Sequence, residues 1–397
     1  MTNIDYLYNR DAARSAFDKN YFVYKNLGLR IIERGMIVPY VNISKGDRRV
    51  WEFGGVVDGN GKFIKSNVGK FGAETVYTPQ CDVAYNPSTV IYCGLFYPIW
   101  GHFITEGLRY FWALSNAAFR KFFGDCTLAY VPCELKYYVD SNKNFRRLME
   151  LAGVAVDKLT PIDRPTQFEN IIVPDESFFM DGTDGQERFT DAYRETVDRV
   201  RNFALKNRTP SAKKVYYLYG RLQVGEERLA EYFRDKGYDI ITPENLTLDE
   251  QLNVLINAES FASTLGSCSH NSIFLRDGAE VILIPRAANR FTAYQPQIDQ
   301  VHTSNANYVD SSLSTFDTQN GPYCYIISPQ LKKFFGDDFS GYGDDDFRTF
   351  LEYAKRSVNA GLTFNAAGDY YGDTLTDFIT QLKRREDLLT AYGVNIS

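Results

Sequence analysis

The alternation of apolar and polar positions is most regular between residues 214 and 285. Apolar, strand-like runs alternate there with amphipathic, helix-like stretches, in the order KVYYLYG, GEERLAEYFRDKG, YDIIT, TLDEQLNVLINA, ESFAST and AEVILIP. This alternation predicts right-handed βαβ units and a parallel sheet, as in a Rossmann-like domain. Thr247 and Glu250 predict a capping box, Gly237 predicts a helix end, and a short helix is expected from about Ser269.

The pattern before residue 214 mixes strands and helices. Residues 28–78 are rich in branched apolar side chains, and WEFGGVVDGNGKFIKS predicts a hairpin with its turn at Asp58–Gly61. Apolar spacing predicts helices at Thr105–Phe119, 145–154 and 191–207, and buried strands at 126–131 and 170–174. After Ala287 the pattern loosens until two predicted terminal helices, 345–361 and 374–393.

The predicted helix at 191–207 marks the expected domain boundary. We predict an α/β fold with an N-terminal domain at 1–207 that contains the hairpin. A Rossmann-like domain is expected at 208–345, and C-terminal helices at 346–397.

Charge and composition exclude several classes of protein. The chain of 397 residues has 44 Lys and Arg against 50 Asp and Glu, a net charge of −6, so phosphate-backbone binding to nucleic acid is not expected. Its six cysteines show neither zinc spacing nor a CxxC pair. The most apolar stretch, Val90–Ile104, is shorter than the roughly 20 residues of a membrane span. Without a signal-like N-terminus, the sequence predicts a soluble cytoplasmic protein with reduced thiols.

His102 and Glu106 are the first candidate catalytic pair. If a helix begins near Gly101, the two side chains share one face, and a carboxylate beside an imidazole raises its basicity. This pattern alone fits equally simple alternatives, a histidine bonded to backbone at a helix start or, less readily, a metal ligand pair.

The second candidate site is LGSCSHN, between a predicted strand and a helix. Its small residues could present backbone N–H groups to phosphate at Gly266, Ser267, Ser269, His270 and Asn271. A serine-capped helix after a tight turn explains the same residues. The segment is not a GxGxxG, Walker or GxSxG sequence.

Arg221 directly follows a predicted strand of the Rossmann-like part. Ligands of open α/β sheets bind beyond the carboxyl ends of the strands, where a guanidinium can grip a diphosphate. A surface ion pair would explain this arginine as well.

The acidic clusters do not predict a metal site. Asp344–Asp346 resembles a DxD motif but follows no hydrophobic strand, so acidic helix capping is favoured. Asp181 and Asp184 lie in a predicted loop without further supporting residues. No metal and no cofactor are expected.

In order and spacing, these segments resemble glycosyltransferase family 61, from about residue 50 to 290. The matching segments are FGGVVDGNGKFIKS, PIWGHFITEGLRYFWAL, VYYLYGR and LTLDEQLNVLINAESFASTLGSCSHNSIFLRDGAEVILI. Residues at matching positions are His102, Phe103, Glu106, Arg109, Trp112, Arg221, Gly266, Asn271 and Phe274; Glu226 or Glu227 falls where the family has Asn-Glu. Two positions depart from the family pattern. Leu265 replaces a residue that is commonly His, and the loop after Arg221 lacks a second arginine.

The resemblance implies a GT-B fold, with two Rossmann-like domains facing a cleft and the terminal helices packing back toward the first. It implies a metal-independent, inverting hexosyl- or pentosyltransferase of bacterial capsular or other surface polysaccharide. A nucleotide sugar, with UDP-sugar as the expected donor, would bind Arg221 and the Gly266 loop. The acceptor would be a glycan or lipid-linked glycan, with the protein at the inner face of the membrane as one option.

Three alternatives stay open at this point. Glu106 rather than His102 could be the base, with His102 on the donor phosphate. The protein could be a non-catalytic nucleotide-sugar or glycan-binding protein of the same fold. It could also be a metal-dependent phosphotransferase or hydrolase of glycans.

Overall fold

The structure is a computed structural model that divides into two compact units. It describes residues 2–356 except 9, 46–47, 67–76, 80, 98, 125, 134–141, 182–183, 287–293, 303, 313–322, 347, 350 and 354. One unit is Tyr21–Lys206, and the other combines the described residues of Met1–Asn20 and Asn207–Ser397. The predicted domain limits at 1–207, 208–345 and 346–397 stay a prediction.

The strands are named here in chain order. They are β1 (Asn3–Tyr6), β2 (Leu29–Glu33), β3 (Met36–Lys45), β4 (Arg48–Val57), β5 (Phe63–Ser66), β6 (Ala84–Phe96), β7 (Thr127–Pro132), β8 (Leu159–Pro161), β9 (Thr166–Pro174), β10 (Phe178–Met180), β11 (Glu187–Phe189), β12 (Lys214–Tyr217), β13 (Asp239–Ile241), β14 (Ser260–Thr264), β15 (Glu280–Ile284) and β16 (Asn305–Val309).

The α-helices are α1 (Arg10–Phe17), α2 (Trp100–Ile104), α3 (Phe111–Ser115), α4 (Ala117–Phe123), α5 (Lys143–Leu151), α6 (Asp191–Asn207), α7 (Glu226–Asp235), α8 (Leu248–Asn257), α9 (Gln295–Val301) and α10 (Pro329–Phe335). Short 3₁₀ helices occupy Glu106–Tyr110, Val156–Lys158, Pro243–Asn245 and Ser269–Phe274.

The unit that contains residues 207–312 is built on a parallel sheet. Its strand order is β13–β12–β14–β15–β16–β1, and each neighbouring pair is parallel. All five residues of β14 are buried, as expected for a strand covered on both faces. The predicted βαβ alternation is therefore confirmed. Because β12 has β13 on one side and β14 on the other, the strand order reverses at β12.

Local signals set the helix ends in this unit. Thr247 and Glu250 form the predicted capping box at the start of α8. Gly237 follows the end of α7 with a φ of 82°, a left-handed conformation that glycine adopts at little cost.

The unit Tyr21–Lys206 is built on a mixed sheet in the order β5–β4–β3–β9–β6–β7–β8, with β2 also pairing with β9. β4 and β5 form the predicted antiparallel hairpin around Asp58–Gly61. β6 pairs in parallel with β7 and β9, and apolar side chains of these three strands form the core. The mixed α/β class is thus confirmed for the described residues.

The predicted continuous helix at Thr105–Phe119 is wrong. The chain forms α2, a 3₁₀ helix, α3 and α4 in succession, with breaks at Thr105 and Asn116. Thr105 Oγ1 bonds to the carbonyl oxygen of Gly101, and the Asn116 side chain accepts hydrogen bonds from the backbone at the start of α4. The apolar spacing identified the buried face, but these polar side chains end and restart the helix.

The chain after residue 343 agrees in part with the predicted terminal helices. Described residues between 344 and 356 are helical, which agrees with the start of the predicted helix at 345–361. The predicted helix at 374–393 lies outside the described residues. All six cysteines are free thiols.

Candidate functional site

His102 and Glu106 form a close pair at the break after α2. His102 Nδ1 lies 2.9 Å from Glu106 Oε2 and 3.0 Å from Oε1. The imidazole is 39% exposed whereas the carboxylate is only 11% exposed. The carboxylate therefore holds the ring from its buried side.

Thr105 shapes this pair through its hydroxyl and its backbone. Its Oγ1 lies 2.8 Å from the Gly101 carbonyl oxygen and 2.8 Å from Glu106 Oε2. At the other side of α6, Tyr193 donates a hydrogen bond of 2.6 Å to the carbonyl oxygen of Ile104. The end of α2 is thus fixed from two directions, and Glu106 begins a 3₁₀ helix instead of continuing α2.

A buried ion pair supports the segment that carries Glu106. Arg109 Nε donates to the carbonyl oxygen of Glu106 at 2.7 Å, and Arg109 Nη1 lies 2.8 Å from Glu176 Oε1. Tyr110 donates to the same Glu176 oxygen at 3.0 Å. Sequence reasoning missed Glu176, because it lies 67 positions after Arg109 and follows β9 in a stretch without a motif.

The charges around His102 favour its protonated form. The hydrogen bond from Glu106 raises the pKa of His102 above its ordinary value, against the lowering effect of burial. Glu187, which sequence reasoning also missed, has its pKa raised by burial and by the charge of Glu106. An oriented histidine with raised basicity is the arrangement of a general base.

In the other unit, three predicted or candidate residues follow three neighbouring strands. Arg221 follows β12, Gly266 follows β14 and Arg286 follows β15. These are carboxyl ends of parallel strands, at and beside the point where the strand order reverses. Open α/β sheets bind ligands at such an edge. Arg221 is exposed, and Arg286 was missed because no motif contains it.

The Gly266 loop is shaped by its own serine and asparagine. Ser269 Oγ accepts a hydrogen bond from the Gly266 backbone N–H at 3.0 Å and lies 2.7 Å from Gln295 Oε1. Asn271 Nδ2 donates to the carbonyl oxygens of Cys268 at 3.0 Å and Ser267 at 3.3 Å. These two side chains therefore fix the backbone of the loop.

The helix after the loop differs from the expected form. Ser269–Phe274 is a 3₁₀ helix of six residues, too short for the dipole argument that favours phosphate at an α-helix start. Ser267 is half-buried, while His270 is buried with its ring centroid 6.4 Å from that of Tyr294. Leu265, at the departure from the family pattern, is fully buried.

Glu226 closes the space between the ends of β12 and β14. Its Oε2 accepts from the Gln223 backbone N–H at 2.9 Å, and its Oε1 accepts from Thr264 Oγ1 at 3.2 Å. Burial raises its pKa. Glu227 is exposed.

The other acidic candidates form ion pairs with arginines. Asp184 and Asp181 lie 2.9 Å and 3.6 Å from Arg188 nitrogens. Asp346 pairs with Arg228 at 2.8 Å and accepts from the Gly343 N–H at 2.9 Å. Within the described part of the chain, no group of three or more His, Cys, Asp or Glu could hold a metal ion, and none of the described helices has the length and hydropathy of a membrane span.

The comparisons with known proteins bear on both regions. The family model described as Glycosyltransferase 61 matches residues 100–282. This part of the chain belongs to glycosyltransferase family 61. Comparison with the curated proteins finds no significant match. The family 61 range contains His102, Glu106, Arg221 and the Gly266 loop, and it supports a glycosyltransferase that acts on a donor and an acceptor.

Proposed function

We propose that the protein is a metal-independent, inverting glycosyltransferase. It moves a hexosyl or pentosyl group from a nucleoside-diphosphate sugar, with UDP as the expected nucleotide, to a hydroxyl of a glycan or lipid-linked glycan. The proposed setting is capsular or other surface polysaccharide synthesis in the bacterial cytoplasm, at the inner face of the membrane where the acceptor is lipid-linked. The observation that carries the proposal is the His102–Glu106 pair within the family 61 range.

The proposed chemistry is a single displacement at the anomeric carbon. The acceptor hydroxyl gives its proton to His102 while its oxygen forms the bond to C1. The bond between C1 and the diphosphate oxygen breaks, and the nucleoside diphosphate leaves with that electron pair. Glu106, bonded to Nδ1, orients the ring and stabilises the imidazolium. With Nδ1 held in this way, Nε2 is the nitrogen that takes the proton.

On the donor side, the proposal assigns the diphosphate to Arg221 and the Gly266 loop. Arg221 follows β12, the strand at which the order reverses, and the loop follows its neighbour β14. In this assignment Gly266, Ser267 and His270 meet the phosphates. Ser269 and Asn271 contribute by holding the loop backbone in place.

A thermal-shift screen tests the donor assignment. The purified protein is melted with UDP, GDP, dTDP or CMP, with EDTA present throughout. A nucleotide at 100 times its Kd stabilises by about 2.7 kcal/mol, a shift of several degrees. We expect one nucleoside diphosphate to stabilise the protein, and Arg221→Ala to remove the shift.

Arg234→Ala, which changes an exposed arginine of α7 in the same unit, is the matched control and should retain the shift. A response only after a divalent metal replaces EDTA would contradict metal independence. Stabilisation by CMP alone would contradict a diphosphate donor.

A pH–rate profile separates the two possible bases. If His102 is the base, Glu106→Gln removes the group that raises the His102 pKa. The acid limb of kcat/KM then moves to lower pH, with activity retained on the alkaline side. Loss of transfer at every pH would instead assign the base to Glu106 and leave His102 for the donor phosphate.

One observation supports a non-catalytic alternative. Leu265 is fully buried where the family commonly has a polar residue, so the loop lacks one phosphate-facing side chain. A protein that binds a nucleotide sugar without transferring or hydrolysing it would fit this loss. Product analysis with the stabilising nucleotide sugar distinguishes the two functions.

A further inference from the structure

Arg286 occupies the same sheet edge as the proposed donor site, outside the range that the family match covers. It follows the last residue of β15 by two positions, and the match ends at residue 282. β15 is the direct neighbour of β14, which leads into the Gly266 loop. Arg286 therefore lies in the row of strand ends that includes Arg221 and Gly266.

The guanidinium of Arg286 lies against the backbone of Gly266. A Cβ atom on Gly266 would be 2.2 Å from Arg286 Nη2 and 2.6 Å from Cζ. Gly266 also has a φ of 141°, which side chains rarely adopt. A glycine is thus required here both by its own backbone and by the close approach of the arginine.

The other contacts of Arg286 hold the guanidinium in place but leave part of it unsatisfied. Its Cζ lies 5.0 Å from the ring centroid of Tyr323, in a cation–π contact. Its Nε is buried and has no hydrogen-bond partner in the described part of the chain. A buried donor without a partner is costly, so its presence suggests that a ligand completes the site.

The charge of Arg286 is also not neutralised by its nearest carboxylate. Glu226 directs its two oxygens to Gln223 N–H and Thr264 Oγ1. Among the described residues, no carboxylate forms an ion pair with Arg286. An anionic ligand would supply both the missing acceptor and the missing negative charge.

Resting on the proposed function, we propose that Arg286 binds the diphosphate of the nucleotide-sugar donor. Gly266 and Tyr323 hold the planar guanidinium so that its remaining donors face the phosphate oxygens. This assignment supplies the second arginine that the short loop after Arg221 lacks. When the bond to C1 breaks, the same guanidinium neutralises the charge on the leaving diphosphate.

The test compares phosphate-dependent affinity in matched variants. Calorimetry measures the binding of the nucleoside diphosphate found in the screen, of its phosphate-free nucleoside, and of pyrophosphate. We expect Arg286→Met to weaken the diphosphate and pyrophosphate about 10- to 100-fold, the loss of a charge-assisted hydrogen bond, with the nucleoside unchanged. Arg286→Lys, which keeps the charge but loses the planar fork, should fall between the two.

Arg276→Met is the control, since Arg276 lies before β15, at the opposite end of that strand, and pairs with Glu259 at 3.7 Å. It should bind all three probes like the unsubstituted protein, and melting curves check that each variant is folded. Equal weakening of nucleoside and diphosphate in Arg286→Met would mean that Arg286 only shapes the pocket, which overturns the inference. Unchanged diphosphate binding would overturn it too, while the proposed function stands. If the unsubstituted protein binds no nucleotide, the proposed function fails and the donor assignment fails with it.

Discussion

The His102 region and the Gly266 region are built in different ways. Around Gly266, strands and helices alternate regularly, and short-range signals such as the Thr247–Glu250 capping box set where elements begin. Around His102, the helix is broken at Thr105, and a carboxylate 67 positions away holds Arg109 in place. The comparison teaches that a regular sheet presents its loops through topology, whereas the proposed base depends on a few long-range polar contacts.

The largest expected effect is on catalysis in the His102 region. His102→Ala removes the proposed proton acceptor, so kcat should fall about 10²- to 10⁴-fold with the protein still folded. Steady-state transfer assays measure this loss. Glu169→Gln, which alters an exposed carboxylate bonded to Tyr85 in the same unit, should leave kcat unchanged. Near-normal turnover in His102→Ala would remove the special role of this region.

The next effect is on stability. Arg109→Met leaves Glu176 buried without its cation, which should lower the free energy of unfolding by about 3–5 kcal/mol. Urea titration measures it, with Arg146→Met as the surface control, because the Arg146–Asp157 pair is exposed and worth under about 1 kcal/mol. Equal losses in the two variants would show that the buried pair has no special weight.

A smaller effect tests whether the Gly266 region also depends on buried polar contacts. Burial raises the pKa of Asp299 to about 6, although Tyr308 and Gln295 donate hydrogen bonds to it. The folded protein then binds the proton more tightly than the unfolded chain. Stability should therefore fall by about 3 kcal/mol as pH rises from about 4 through 6, and stay level above that.

Asp299→Asn should lack this part of the pH dependence, measured as melting temperature from pH 4 to 7. Since Gln295 also contacts Ser269 of the Gly266 loop, the result shows whether the loop rests on a titrating group. The same slope in both proteins would contradict the pKa shift.

The smallest effect concerns a signal that the sequence shows directly. Thr247→Ala removes the side-chain cap of α8 and should cost about 1 kcal/mol of unfolding free energy, whereas Thr247→Ser keeps the cap and should cost less. Chemical denaturation measures both. A loss as large as that of Arg109→Met would reverse the comparison, because a short-range contact would then matter as much as the buried ion pair.

The sequence predicted most of the parallel sheet and only part of the candidate sites. β12 to β15 and the helices between them follow from periodicity and caps, since those signals act within a few residues. His102 and Glu106 were predicted as neighbours because they are four positions apart. Glu176, Glu187 and Arg286 were not, because pairing across tens of residues leaves no local pattern. The break at Thr105 was missed for a related reason, since a hydroxyl bonded to backbone does not alter apolar spacing.

The pairing of β1 with β16 has a consequence for synthesis of the chain. Residues Asn3 and Tyr6 pair with Asn307 and Val309, so the first strand made completes an edge whose partner is made about 300 residues later. At roughly 5–20 residues per second, the ribosome takes about 15–60 s to reach that partner. During this interval β1 must stay unpaired while Tyr21–Lys206 emerges and can fold as an inserted unit. The last strand of this sheet, and not its first, therefore decides when the sheet can close.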